Sequence, residues 1–526
     1  VVYLHVTLPE ALAEDLPPID DTWQDFGESA GEPAAEEALV EQLWSDQRGS
    51  FDRWLDGIAS DAGGRPALNF IHSLLPHRPW RYLPEGKVYG NAATEGLRRD
   101  VWQANSWLVT QAYQRHLLQV GFADRLLGEI LDRLRSTGLY DSSLVVVAAD
   151  HGTSFRPGGR RRSVDGENVA DVARVPLLVK LPRQERGQVD RRNARTTDVL
   201  PTVADVLGAP LPGTPDGRSL LDRDAADRST VVIHRRDEAP VSVPASDVAA
   251  RAEEALARKV AIFGSGDWPS VYEIGPHREL LGREVGSLTI SDASELTATV
   301  DGESFLRDLD LDSPLAPSHL TGQISGEGAN EPLDLAVAVN GRIAVMTRAV
   351  RLRGSTRFAG MAPLSAFREG ANTVEVFAVR DANGRLALER LAGATSGGRL
   401  ERAAAGEVVR FEGGETIEVV PGALEGTVER WSRELGAVRF VGWAADVSGR
   451  KVAERILVFA DGRLVYSTAS SFNRPDIARR HGVPEGAGFV LELPLAVAGD
   501  AQEIRFVAVR GGVASELAYA AGYPWR

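Results

Sequence analysis

An α/β domain followed by two small all-β modules is the fold this sequence predicts, on three observations. Apolar strand-like runs alternate with helical stretches between residues 51 and 222. From residue 287 the pattern changes to short alternating strands, and one stretch of those strands occurs twice.

The first domain follows from its elements in order. Residues 14–48 are acidic and broken by Pro and Gly, which predicts a loop and then a short helix. PALNFIHSLL, residues 66–75, predicts a buried strand. Over residues 111–135, Leu117, Val120, Leu127, Ile130, Leu131 and Leu134 recur on one face at helical spacing, and Gly138 ends the helix. LVVVAA, residues 144–149, is an apolar, Val-rich run that predicts a second buried strand, and VPLLVKLP, residues 175–182, predicts a third. TTDVLPTVADVLG, residues 196–208, predicts a helix with Thr caps, Pro201 near its start and Gly208 at its end. STVVIH (229–234) and SDVAARAEEALARKVAIF (246–263) add a strand and a helix. Alternation of this kind implies a mostly parallel sheet flanked by helices. The α/β domain is therefore expected over residues 1–286, with its core at 51–222.

The β modules follow from an internal repeat. LAVAVNGRIAVMTR (335–348) matches ILVFADGRLVYSTA (456–469), both reading as hairpins around Asn-Gly or Asp-Gly. RFAGMAPLSAFREGANTVEVFAVR (357–380) matches GFVLELPLAVAGDAQEIRFVAVR (488–510), and the second copy carries NRPDIARRHGVPE in between. Two tandem β-sandwiches are expected, at 287–398 and 399–526.

Composition narrows the function. A chain of 526 residues suits about three domains. A net charge of -15 excludes a nucleic-acid partner, whose phosphates need a basic face. Only Lys87, Lys180, Lys259 and Lys451 are lysines, a codon-usage bias without mechanistic content. The sequence has no Cys, which removes disulfides, thiolate metal sites and thiol nucleophiles. The opening VVYLHVTLPE has no Met, no basic n-region and no long apolar run, so it reads as a cut.

Three clusters carry candidate chemistry. Asp150 and His151 follow the apolar run 144–149, where parallel sheets place their ligands. A carboxylate beside an imidazole suits Zn, Mn or Ca, although an isolated Asp-His pair more often caps a turn. FIHSLLPHRPWRYLPEG, residues 70–86, brings His72, His77 and Arg78 near the same edge, with Pro76 and Pro79 stiffening the loop. Such groups suit an anionic phosphate or sulfate, and a structural loop around Trp80 is the plain alternative. In the loop 154–176, Asn168 is a candidate pocket residue, while Arg160 to Arg162 read as a solvated charge run.

Taken in this order, PHRPW, HLLQVGFADRLLGEILDRLRSTGLYDSS, VVVAADHG, RVPLLVKLP and TTDVLPTVADVLG resemble the C-terminal catalytic half of the sulfatase and alkaline-phosphatase superfamily, from Arg65 to Leu220. The resemblance implies an alkaline-phosphatase-like α/β fold and a divalent metal held by Asp150 and His151. It also implies His77 in a catalytic role, as general acid or electrostatic clamp, and His72, Arg78 and Asn168 in substrate binding. The implied reaction is hydrolysis or transfer of a sulfate or phosphate ester, on a cell-envelope glycan or lipid. The implied setting is extracytoplasmic, with a membrane anchor in a missing N-terminal segment. Such families carry their nucleophile in the N-terminal half; residues 1–50 hold no matching motif, and Asp20 and Asp21 lie in a Pro-rich loop. This chain alone is thus expected to be inactive, the alternative being a non-catalytic binding or assembly protein. The lysine that often precedes the VP strand is replaced by DGENVADVAR, and Lys180 is a weak substitute. The β modules are similar to domains appended to surface-polysaccharide enzymes, with Trp443 as sugar platform or, more simply, core aromatic.

Overall fold

The computed structural model describes residues 47–59, 67–90, 94–98, 100–211, 213–234, 239–291, 294–382, 385–393, 397–404, 406–434, 436–470, 472–520 and 522–525. The acidic stretch before residue 47, with Asp20 and Asp21, lies outside these. The chain divides into two compact units, residues 1–74 and 75–526.

In the first unit, helix α1 (Gln47–Asp56) buries Phe51 and carries an Arg48–Asp52 pair one turn apart. The strand expected at 66–75 does not form: residues 67–74 have no regular structure, and Leu68 and Phe70 are 75% and 60% exposed. A strand exists through its backbone ladder, and the described residues 67–74 are not part of one.

The second unit begins with a hairpin that places strand β1 (Val88–Tyr89), followed by β2 (Leu97–Arg98), β3 (Val101–Trp102) and helix α2 (Ser106–Ser136). Asn105 caps α2 by accepting from the amides of Trp107 and Leu108. The face it buries is not the one the aliphatic spacing predicts. Leu108, Ala112, Arg115, Gln119, Phe122 and Leu126 line it; of the residues expected there Leu134 is buried, whereas Leu117, Val120, Leu127, Ile130 and Leu131 are half-buried. The helix is rotated because Gln114, Arg115 and Gln119 are buried to serve neighbouring backbone groups.

Strands β4 (Val145–Ala148) and β5 (Leu177–Lys180) form where expected, separated by the short helix α3 (Val169–Ala173). They pair antiparallel, from Val145 opposite Lys180 to Ala148 opposite Leu177, so the parallel arrangement does not extend to them. The connection is a folded-back loop rather than a crossover helix, which permits this. Neither strand is fully buried, and Leu178 is exposed. Helix α4 (Val199–Leu207) ends at Gly208 in the left-handed region, as its sequence requires. Strands β6 (Thr230–Ile233) and β7 (Val241–Pro244) form an antiparallel pair before helix α5 (Ala245–Phe263).

The rest is rich in strands. Two five-stranded sheets between Ile290 and Gly393 face one another around Val300, Leu320, Leu335, Val337, Phe358 and Val376. Beyond Gly398 one expectation changes: a seven-stranded closed barrel, not an open sheet, packs on a second sheet. Two barrel strands explain this. In Arg455–Ala460, Leu457 and Phe459 point into the barrel while Ile456 and Val458 pack on the neighbouring sheet. Ile504–Arg510 behaves alike through Val507 and Phe506, so both strands read as continuous apolar runs.

The repeated hairpins share their details. Asn340-Gly341 and Asp461-Gly462 both have two positive φ angles, as tight hairpin turns demand. Each hairpin carries a bulge at the same place, between Val337 and Ala338 and between Val458 and Phe459. Leu335 stands opposite Ala378 as Ile456 stands opposite Ala508. β1 adds in parallel to the strand Leu315–Ala316, and Leu83, Tyr89, Leu118, Phe263, Ala316 and Met361 share one core.

Candidate anion and metal site

Helix α2 holds the loop that carries His77. Gln119 donates from Nε2 to the His77 carbonyl (2.6 Å), and its Oε1 accepts from the amides of Arg81 (2.9 Å) and Tyr82 (3.2 Å). Arg115 donates to the Trp80 carbonyl (2.8 Å), which also receives the Tyr89 hydroxyl (2.7 Å). Inside the loop, Trp80 Nε1 donates to the Pro76 carbonyl. The Trp80 ring then packs with Trp102, Phe155 and the buried His116.

Asp100 gathers the arginines. It sits in the turn between β2 and β3 with φ of 63°, a left-handed conformation Asp tolerates better than most residues. Its carboxylate accepts from Arg161 Nε (2.8 Å) and the Arg162 amide (3.0 Å), and its carbonyl from the Arg161 amide (2.8 Å). Arg161, in the run expected to be solvated, is 2% exposed. Among the described residues its Nη2 and the Nε of Arg78 meet no hydrogen-bond partner. Burial brings Arg161 down to about 10 against the pull of Asp100, and burial with the charge of Arg162 lowers Arg78.

His77 completes the cluster. Its Nδ1–H donates to the Arg78 carbonyl (2.6 Å), and Arg162 Nη1 approaches Nε2 at 3.4 Å. Burial pushes the imidazole down to about 4, opposed by the bond to the Arg78 carbonyl and assisted by Arg161, Arg162 and Arg78. Among the described residues, three guanidinium groups and an imidazole thus gather around one carboxylate, Asp100, a local surplus of positive charge that an oxyanion would offset.

Asp150 and His151 end β4 as expected. Asp150 Oδ1 accepts the His151 amide (2.8 Å), and the Asp150 side chain is 77% exposed. His151 Nδ1–H donates to the Gly152 carbonyl (2.7 Å), leaving Nε2 as the lone-pair atom, 3.9 Å from Asp150 Oδ2. Among the described residues no group of three or more His, Asp or Glu side chains gathers for a metal. The pair therefore fits as two of the four or more donors a divalent ion takes. Gly152 is fixed by packing: a Cβ there would lie 2.1 Å from the Asp171 carbonyl oxygen, and its amide donates to Val172. Asp171 in turn accepts from Ser154 and Arg156, pinning the loop that leads to Arg161.

The other expected residues fall differently. Asn168 is buried, donating to the carbonyls of Arg160 and Ser163 and accepting from the Asp165 amide, so its side chain organises the loop rather than lining a pocket. His72 lies exposed in the first unit. Lys180 donates to the carbonyls of Tyr140 and Ser143 and lies over the Tyr140 ring, a structural role. Trp443 is a core aromatic against His481, Ile477 and Ala487. Asp100, Arg161, Arg162 and Gln119 were not marked as site residues by sequence, because polar residues are spread along the whole of α2 and nothing in the sequence sets Arg115 and Gln119 apart from the rest.

A strand ending in Asp-His-Gly, followed by a loop that folds back onto a His-Arg cluster, defines the class: a sulfatase-like α/β chain. Residues 29–209 match the Sulfatase family model, and this part of the chain belongs to the sulfatase and alkaline phosphatase superfamily. It is 35% identical over 100 residues to the multifunctional alkaline phosphatase superfamily protein PehA of Trinickia caryophylli, 19% of each chain. It is 32% identical over 198 residues to the steryl-sulfatase of Mus musculus, 31% of each chain. It is 26% identical over 175 residues to the lipoteichoic acid synthase of Staphylococcus saprophyticus, 32% of this chain and 24% of that one. These matches span between 19% and 31% of the length of the curated relatives.

Proposed function

We propose that this chain forms part of a metal-dependent hydrolase or transferase of sulfate or phosphate esters carried by cell-envelope glycans or lipids. The observation that carries this is the surplus of buried positive charge around His77 and Asp100. Arg78, Arg161 and Arg162 would bind the oxyanion of the ester, with Asp100 fixing the last two. His77, neutral with its Nδ1 proton committed to Arg78, would take on Nε2 the proton released by the attacking hydroxyl as the anion draws Arg162 away, and give it to the departing oxygen. Asp150 and His151 would hold a divalent ion, Ca, Mn or Zn, whose chemistry is to activate a nucleophile and neutralise charge on the transferred group. The nucleophile is left to residues beyond those described.

The reading includes the division into residues 1–286, 287–398 and 399–526, a mostly parallel sheet in the first, and an extracytoplasmic, membrane-anchored setting. No described helix is long and apolar enough to cross a membrane. Turnover of nitrophenyl sulfate and nitrophenyl phosphate by the full gene product, with Ca, Mn or Zn added in turn, tests it. Metal-dependent release of nitrophenol that falls on Arg161→Met or His77→Ala is expected. Absence of activity on these and on envelope fractions would favour a non-catalytic binding protein.

A further inference from the structure

We propose that the second β region positions the anion-binding loop 76–82, through an ion pair between Glu492 and Arg81. The inference rests on the functional reading only for calling the loop anion-binding.

Glu492 lies in the strand Gly488–Pro494, where Leu491 and Leu493 face the apolar core. Alternation turns Glu492 to the opposite face, yet it is 4% exposed. The hairpin following the loop covers it: a Cβ on Gly90 would sit 3.5 Å from its Oε2, and Arg81 Nη2 lies 3.7 Å from its Oε1. For packing alone, an apolar side chain would serve as well, since burying a carboxylate carries a large desolvation cost. The charge is met from across the hairpin by Arg81, while Arg439 stands directly opposite Glu492 on the neighbouring strand.

Arg81 is anchored on three sides. The amide of Arg81 is held by Gln119 of α2, its carbonyl accepts the Tyr89 amide (2.9 Å), and its guanidinium meets Glu492. His77 and Arg78 are four and three residues upstream, in a loop closed internally by the Trp80 to Pro76 bond. Arg81 therefore cannot shift without moving them. The hairpin is braced further. Lys87 donates to the Ser313 carbonyl (2.7 Å), the Val88 amide to Pro314 (2.9 Å), and Pro314 packs where a Cβ on Gly436 would stand, 2.4 Å away. Asp301 and Arg357 form a second buried pair.

The test uses the whole chain with Glu492→Gln and the double variant Arg81→Gln/Glu492→Gln. Hydrogen exchange is read over residues 77–83 and over the barrel strand Arg455–Ala460, with melting temperature and affinity for inorganic phosphate and sulfate alongside. Glu492→Gln is expected to speed exchange in 77–83 and weaken anion binding by roughly tenfold, an ordinary coupling between sites, with Arg455–Ala460 unchanged. The double variant removes both members of the pair, so its melting temperature rises above that of Glu492→Gln while the loop stays loose. Recovery of loop exchange together with melting temperature would make the pair merely structural and overturn the proposal. So would wild-type exchange in both variants. If the wild type binds neither anion, the functional reading falls, and exchange alone still decides the positioning role.

Discussion

Around His77 the chain holds three guanidinium groups and an imidazole mostly out of water against one carboxylate, whereas Asp150 and His151 stand at a strand end with the carboxylate 77% exposed. The two halves of one expected site are thus prepared differently. The first is built in advance: its loop is gripped by Gln119 and Arg115, and its charges persist only because Asp100 joins them. The second is held by short backbone bonds within Asp150, His151 and Gly152 and costs little to keep. A cation cluster must be folded before its anion arrives, while an exposed pair of donors needs further donors before it binds firmly.

The contrast can be broken at its strongest point. Asp100→Ala leaves Arg161 buried without its carboxylate and is expected to cost about 3–5 kcal/mol, read from the urea midpoint; a loss below 1 kcal/mol would mean Asp100 does not carry the cluster. Acid is the next lever. His77 and His116 are both pushed down to about 4 by burial, from 6.5 in the unfolded chain. With folded values below unfolded ones, the unfolded chain takes protons first. Their contribution is complete above pH 6.5 and is lost as pH falls towards 4, on the order of 2 kcal/mol each by about pH 5. Urea midpoints at pH 7 and pH 5 check this, and added sulfate should restore part of the loss if the anion promotes proton uptake at His77.

Smaller effects sharpen the other side. Gly152→Ala drives a methyl group into the Asp171 carbonyl and should cost about 1–3 kcal/mol, visible as a lower melting temperature with the β regions unaffected. Asp150→Ala should change stability by no more than about 0.5 kcal/mol, yet lower metal content after dialysis against Mn or Zn. Unchanged metal content would remove Asp150 from the site.

What was legible in the sequence is what local chemistry decides. The run LVVVAADHG announces a strand ending in two polar residues, and the structure places Asp150 and His151 just past β4. Asn340-Gly341 and Asp461-Gly462 announce hairpin turns because few other pairs accept two positive φ angles. The burial of Arg161 was not legible, since its carboxylate is 61 residues away and nothing in an arginine run distinguishes the residue that meets it. Nor was the rotation of α2, because aliphatic spacing cannot show that Gln119 is buried to hold a loop 42 residues upstream. The missing strand at 67–74 and the antiparallel β4–β5 pair fail for one reason: strand-like sequence names no partner. The barrel after Gly398 was hidden likewise, although the unbroken ILVF of its central strand hints at two covered faces.

Closure of that barrel has a consequence for how the molecule behaves in a crowded solution. A ring of paired strands offers no unpaired row of amides and carbonyls to a neighbouring chain, so association by strand addition has nowhere to start there. The β4–β5 pair is the reverse: among the described residues it gains no third strand, and Leu178 is open to solvent. The exposed apolar side chain of Leu178 thus lies on the strand paired with the one that leads to Asp150 and His151, whereas the barrel keeps its apolar side chains inside.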